Sequence, residues 1–301
     1  MVDKYRLALR INTAGMVCSG GNDSVGALWD KEGTQRTLNT DKVTSEEIMG
    51  LTKEDVKKLR RIGAIVAMTI EEMERQMEPG MTTAELDDIG RAVLEEEGAQ
   101  SAPILEYDFP GATCISVNER AAHGIPGDLV IEEGDLVNID VSAECDGFFA
   151  DSGASFGVGE IGDEKQDLLD ATREALEKAM SMARHGRPIK MVGRVVQGLA
   201  DQRGYTVIRN LGGHGIGKKL HQPPKFIPHF YDRTEKRRFR EGQVLTLEPF
   251  LAMGAKKVEE LDDGWTLMTE NKGLVAQFEH TMIITRGEPI VLTRRTAETS
   301  A

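Results

Sequence analysis

The chain has few of the features that would make its role obvious. Three cysteines, Cys18, Cys114 and Cys145, are an odd number without CxxC spacing, which excludes a disulfide framework and a cysteine-based zinc site. No stretch approaches the run of about 18 apolar residues that crosses a bilayer, and the N-terminus lacks the apolar segment of a secretory signal. A soluble, cytoplasmic protein in a reducing compartment is expected, with no membrane partner. Basic residues are outnumbered by acidic ones, 37 to 50: a net charge of −13 argues against a surface made for phosphates, so no direct nucleic-acid role is expected. The local exception, Arg233 to Arg240, reads as a solvated turn that an acidic or RNA surface could also use.

With 40% hydrophobic residues among 301, the chain can bury a sizeable core. Residues 1–45 show no sustained periodicity and hold a Gly20-Gly21-Asn22-Asp23 breaker, so they are expected to form a loosely ordered extension, and 46–301 the folded domain. Thr52 and Asp55 read as the start of a helix with apolar positions at Leu59, Ile62, Val66 and Ile70, stopped by Pro79-Gly80. Thr82 and Glu85 open a second helix that ends at Gly98, and a strand follows at Cys114 to Val117. The order then repeats: a helix from Asp163 to Gly186, another from about Lys190 to Gln202, and a strand at Tyr205 to Ile208. Such a repeat places a site at the seam of two similar halves. The remaining third reads as strands, chiefly Val244 to Leu251 and Val275 to Ile284, with polar residues inside apolar runs.

Between the halves, Val137 to Asp151 reads as a hairpin turning at Asp146-Gly147. With that turn, residue 140 pairs with 153 and 142 with 151, and Asp140 and Asp151 become diagonal neighbours on one face. Two such aspartates fit a solvated face as well as a cation site, so other residues decide. Glu248 and Glu279 each interrupt an apolar run, where a carboxylate is costly to bury without a cation or partner. His214 stands between glycines in Leu211 to Gly217, His221 follows, and His123 has a similar setting ahead of the hairpin. Four carboxylates and one imidazole suit a pair of divalent ions such as Mn, Fe or Co better than a structural zinc. Ions roughly 4 Å apart can bridge a water, lower its pKa and clamp a substrate oxygen, which is metal-assisted hydrolysis.

Five segments, CISVNERAAHGIP, VNIDVSAECDGFFADS, GGHGIGKKLHQPP, LTLEPF and DGWTLMTENKGLVAQFEHT, resemble the methionine aminopeptidases, and the match runs from about residue 49 to 293. Too few residues separate His221 from Glu248 for the insert of the eukaryotic-archaeal type, so the resemblance is to the bacterial type I. It implies an α/β (α+β) pita-bread fold, shared with prolidase and creatinase: two pseudo-symmetric helix-helix-strand halves around a curved antiparallel sheet. It further implies Asp140 as ligand of one metal, His214 and Glu248 of the other, and Asp151 and Glu279 as bridges, with Fe, Mn, Co or Zn as the ions. His221 would support the tetrahedral intermediate, His123 would contact the scissile amide, and Glu248 would relay the proton. Phe109, Cys114, Leu220 and Trp265, with Tyr107, would line the methionine pocket. The substrates would be N-termini of nascent polypeptides with a small second residue, met at the ribosome, and the enzyme a monomer.

The chain departs from the family pattern at PILEYDFP (103–110), which shifts Tyr107 by one, at Ala122, and at Asp-Ser-Gly-Ala (151–154). Two other readings compete. An Xaa-Pro aminopeptidase or prolidase shares the fold but carries a large N-terminal domain that 45 residues cannot form. A non-catalytic binding relative would have lost a ligand, whereas all five are present.

Overall fold

The computed structural model describes Leu28–Trp29, Gln35–Arg36 and residues 48–299. The chain divides into two units, Met1–Ser45 and Glu46–Ala301. In the first, β1 (Leu28–Trp29) pairs antiparallel with β2 (Gln35–Arg36). The expectation of loose order for the rest of 1–45 lies outside the described residues.

In the second unit, helix α1 (Lys53–Gln76) begins at a complete capping box, Thr52 with Asp55, which satisfies backbone N–H groups the first turn would leave bare. Its buried stripe, Leu59, Ile62, Val66, Ile70 and Met73, repeats at helical spacing. Each such side chain contributes roughly 1.5–3 kcal/mol by leaving water. Helix α2 (Thr83–Glu96) starts with the same device at Thr82 and Glu85. After β3 (Gln100–Ser101) comes a short helix that no sequence signal announced, α3 (Ala102–Tyr107). Then follow β4 (Cys114–Val117), β5 (Arg120–Ala122) and the ten-residue strands β6 (Leu136–Cys145) and β7 (Phe148–Gly157). Helix α1 lies across β6 and β7.

The second half repeats the plan with α4 (Asp163–Met182), α5 (Lys190–Arg203) and β8 (Thr206–Val207), then β9 (Gly212–Gly215) and β10 (Gln222–Pro228). Helices of 24 and 14 residues in one half thus answer helices of 20 and 14 in the other. The last third does not form the two continuous strands read from its apolar runs. Val244 to Leu251 breaks into β11 (Val244–Leu247) and β12 (Phe250–Ala252), β13 (Val258–Glu260) and β14 (Leu267–Thr269) follow, and Val275 to Ile284 breaks into β15 (Val275–Gln277) and β16 (His280–Ile283). Strand β11 pairs with β16 and β12 with β15, so the interruptions at Glu248-Pro249 and Phe278-Glu279 face each other and belong to different sheets on either side. Pro249 has no N–H to donate to a ladder, which accounts for the first break. Each glutamate therefore sits where the antiparallel sheet bends rather than inside a strand.

Candidate metal centre

The hairpin has the expected register: Asp140 pairs with Gly153 and Ser142 with Asp151. Asp146 and Gly147 both have positive φ, 54° and 78°, as the two-residue turn that matches strand twist requires. Asp140 and Asp151 consequently share a face, and Asp151 acts electrostatically on the Asp140 carboxyl. Ser142 Oγ donates to Asp151 Oδ1 at 2.7 Å, and the Asp151 backbone is held at both ends by Thr281 Oγ1, which accepts from its N–H at 2.9 Å and donates to its carbonyl at 2.7 Å.

Glu279 is tied to the same strand, because its N–H donates to the Gly153 carbonyl at 2.8 Å and Ser152 Oγ donates to the Glu279 carbonyl at 2.6 Å. His214 comes from β9. A side chain at Gly213 would meet the Thr246 carbonyl at 2.2 Å and one at Gly215 the Pro223 carbonyl at 2.4 Å, so glycine lets β9 lie flat between its neighbours. A carbonyl only accepts, so the 3.1 Å contact of His214 Nδ1 with Gly215 O places the proton on Nδ1. Nε2 is left bare, 3.6 Å from Asp151 Oδ2 and 3.8 Å from Glu248 Oε1. Asp151, His214 and Glu279 each offer a ligand atom within 4.8 Å of the others. Asp140 and Glu248 lie outside that tight trio but touch it, the first through Asp151 and the second through His214.

This gathering of acids is electrostatically costly. Two carboxylates about 4 Å apart repel by roughly 4 kcal/mol at an effective dielectric constant near 20. Burial, followed by the charge of Asp151, holds the carboxyls of Asp140, Glu248 and Glu279 well above the usual carboxylate range. Among the described residues, no lysine or arginine forms an ion pair with them. Glu279 Oε1 is buried and has no hydrogen-bond partner. Oxygen donors, one bare imidazole nitrogen and an orphaned carboxylate oxygen fit divalent cations, which would supply the missing charge.

A second layer of polar residues follows a rule that sequence reading missed. Asn138, Thr246 and Gln277 each precede a candidate ligand by two positions and therefore point to its side of the chain. Gln277 Nε2 donates to Glu279 Oε2 at 3.0 Å, and its Oε1 accepts from Asn138 Nδ2 at 2.7 Å. Thr246 Oγ1 accepts from the His214 N–H at 3.2 Å and reaches Glu248 Oε1 at 3.4 Å. His229, also missed, accepts the Glu248 N–H at 3.1 Å. Polar residues inside apolar strands were the available signal.

Gly153 makes room for this layer, since a Cβ there would stand 2.1 Å from Gln277 Oε1. Gly153→Ser is expected to push the amide off Glu279 and lower affinity for divalent ions about 10-fold, as loss of a ligand's orienting partner usually does. Calorimetric titration of the metal-free variant with Mn²⁺ measures this, and an unchanged dissociation constant would refute it.

The remaining sequence candidates lie beside the carboxylates. His221 stacks on His214 with ring centroids 4.2 Å apart, and burial, with His214 next, pushes its pKa down to about 2. His123 is held at a positive φ of 53°, unusual for a histidine, and burial lowers its pKa while Asp151 and His214 act on it electrostatically. Cys114 pairs with Asp140 across the β4–β6 ladder. Phe109 meets Trp265 edge-on at 5.1 Å between centroids. Leu220 is buried next to His221. Tyr107 turns to His221, its hydroxyl 2.7 Å from Nδ1.

Fold and site together define a metal-dependent hydrolase. Residues 57–286 match the metallopeptidase family M24. Methionine aminopeptidase 2 of Bacillus subtilis is 48% identical over 242 residues, 80% of this chain and 97% of that protein. The crystal structure of methionine aminopeptidase from Rickettsia prowazekii superposes with a TM-score of 0.78 at 32% identity, covering 82% of this chain and all of that one. Prolidase from Pyrococcus furiosus, at 23% identity, a TM-score of 0.65 and 64% of its own length covered, shares the fold alone. The chain belongs to the methionine aminopeptidases of metallopeptidase family M24.

Proposed function

We propose that this chain hydrolyses the first peptide bond of polypeptides that begin with methionine and carry a small second residue. The observation that carries this reading is the convergence of Asp140, Asp151, His214, Glu248 and Glu279 at one centre, with His123 and His221 beside it. In this assignment Asp140 would hold one divalent ion and His214 and Glu248 the other, with Asp151 and Glu279 available to both. Iron, manganese, cobalt or zinc, when bound, polarises a carbonyl and lowers the pKa of water.

The protein's own groups do the rest. Glu248 receives the proton released by the attacking water and relays it. His221 donates to the oxygen that gains charge, and His123 contacts the amide being cut. Phe109, Cys114, Leu220 and Trp265 surround the methionine side chain. The substrates are free N-termini, those of nascent chains at the ribosome included, and the enzyme works as a cytoplasmic monomer.

A peptide panel with Mn²⁺, Fe²⁺ or Co²⁺ tests this reading. Met is expected to leave Met-Ala-Ser but not Met-Lys peptides. Cleavage of Ala-Pro peptides with Met-Ala-Ser untouched would replace the reading with an Xaa-Pro peptidase. No turnover with any metal would indicate a binding protein that has kept the fold.

A further inference from the structure

Tyr107 ends the short helix α3, inside the stretch where the sequence departs from its family. Ser101 caps that helix through Ile104 N–H at 3.4 Å and donates to the Ala112 carbonyl at 2.7 Å, which closes the loop 101–112 on itself. Asp108 then takes the left-handed conformation, φ 55°, and ends the helix. The loop thus presents the Tyr107 ring to His221, with centroids 5.6 Å apart and the hydroxyl 2.7 Å from Nδ1. Lys225 Nζ donates to the His221 carbonyl at 2.7 Å and anchors the backbone on the other side.

A phenol is a better donor than acceptor, and an imidazole nitrogen is the stronger base of the two, so the Tyr107 O–H donates to Nδ1. A neutral imidazole with Nδ1 accepting must carry its proton on Nε2. We propose that Tyr107 is a positioning residue that selects the Nε2–H tautomer of His221 and holds its ring, so that His221 presents a donor to the substrate carbonyl. The catalytic part of this proposal rests on the peptidase reading above; the tautomer does not.

The test uses the full chain, uniformly ¹⁵N-labelled and loaded with diamagnetic Zn²⁺. Long-range ¹H–¹⁵N correlation reads both ring nitrogens of His221, assigned by their loss in His221→Gln. The wild type is expected to show a protonated Nε2 and a bare Nδ1. Tyr107→Phe is expected to move the ring toward a mixture of tautomers and to lower kcat on Met-Ala-Ser about 10-fold, with KM and Zn²⁺ affinity holding. A wild-type ring protonated on Nδ1 would overturn the proposal whether or not the variant folds. So would a fall in kcat with the tautomer unchanged, which would leave Tyr107 a packing role only. Absence of turnover in the wild type would instead sink the peptidase reading and leave the nitrogen shifts to decide the assignment of Tyr107.

Discussion

Asp151→Asn is expected to slow release of Met from Met-Ala-Ser by roughly 10³-fold, about 4 kcal/mol in the barrier. The substitution changes one oxygen to an amide group and keeps the shape, so packing is spared and chemistry is not. Asp151 contacts Asp140, His214 and Ser142 through its carboxyl, and Thr281 fixes its backbone. An amide offers a single weaker oxygen and places an N–H where a cation should sit. Turnover measured at saturating Mn²⁺, with the melting temperature as control for folding, checks the effect. Near-normal rates in a folded variant would show that Asp151 does not join the two metal positions.

The second large effect couples protons to metal. In the metal-free chain the carboxyls of Asp140, Glu248 and Glu279 keep their protons above the pH at which a free carboxyl gives them up, first because of burial and then because of the charge of Asp151. The unfolded chain releases the same protons near pH 4. Over the interval from about pH 4 up to the raised folded values, these three carboxyls bind more protons in the folded state, so their contribution to stability falls as pH rises. Bound ions displace those protons, and their affinity rises with pH. Mn²⁺ at about 100 times its dissociation constant should add about 2.7 kcal/mol, a gain of roughly 5–10 °C in melting temperature. At one fixed Mn²⁺ concentration the gain is expected to be larger at about pH 8 than at about pH 5. A larger gain at the lower pH would contradict the account of these carboxyls.

Much of this was legible in the sequence because local rules carried it. Two capping boxes marked where α1 and α2 begin, and Asp146-Gly147 specified a two-residue turn, which alone placed Asp140 opposite Gly153 and Asp151 opposite Ser142. A slip of one residue would have put one aspartate on the far face. The bends at Glu248 and Glu279 were not legible, because an apolar run carries no mark of where a strand leaves one sheet for another. Nor was α3, a helix of only six residues that depends on its loop closing at Ser101 and Ala112. Tyr107 fell with it. The sequence offered Tyr107 as a pocket residue, and only the tertiary arrangement shows its hydroxyl on His221, 114 positions away. The pairing of Gly153 with Gln277 is equally non-local, since a missing side chain leaves no trace of what fills its place.

The central claim is that five side chains from the hairpin, β9 and the two sheet bends hold two divalent ions. Crystals of the full chain soaked in millimolar Mn²⁺ and measured at the manganese absorption edge address it directly. The account predicts two anomalous peaks, both touching Asp151 and Glu279, one also touching Asp140 and the other His214 and Glu248. Peaks that avoid these carboxylates, or none among them at that concentration, would contradict it.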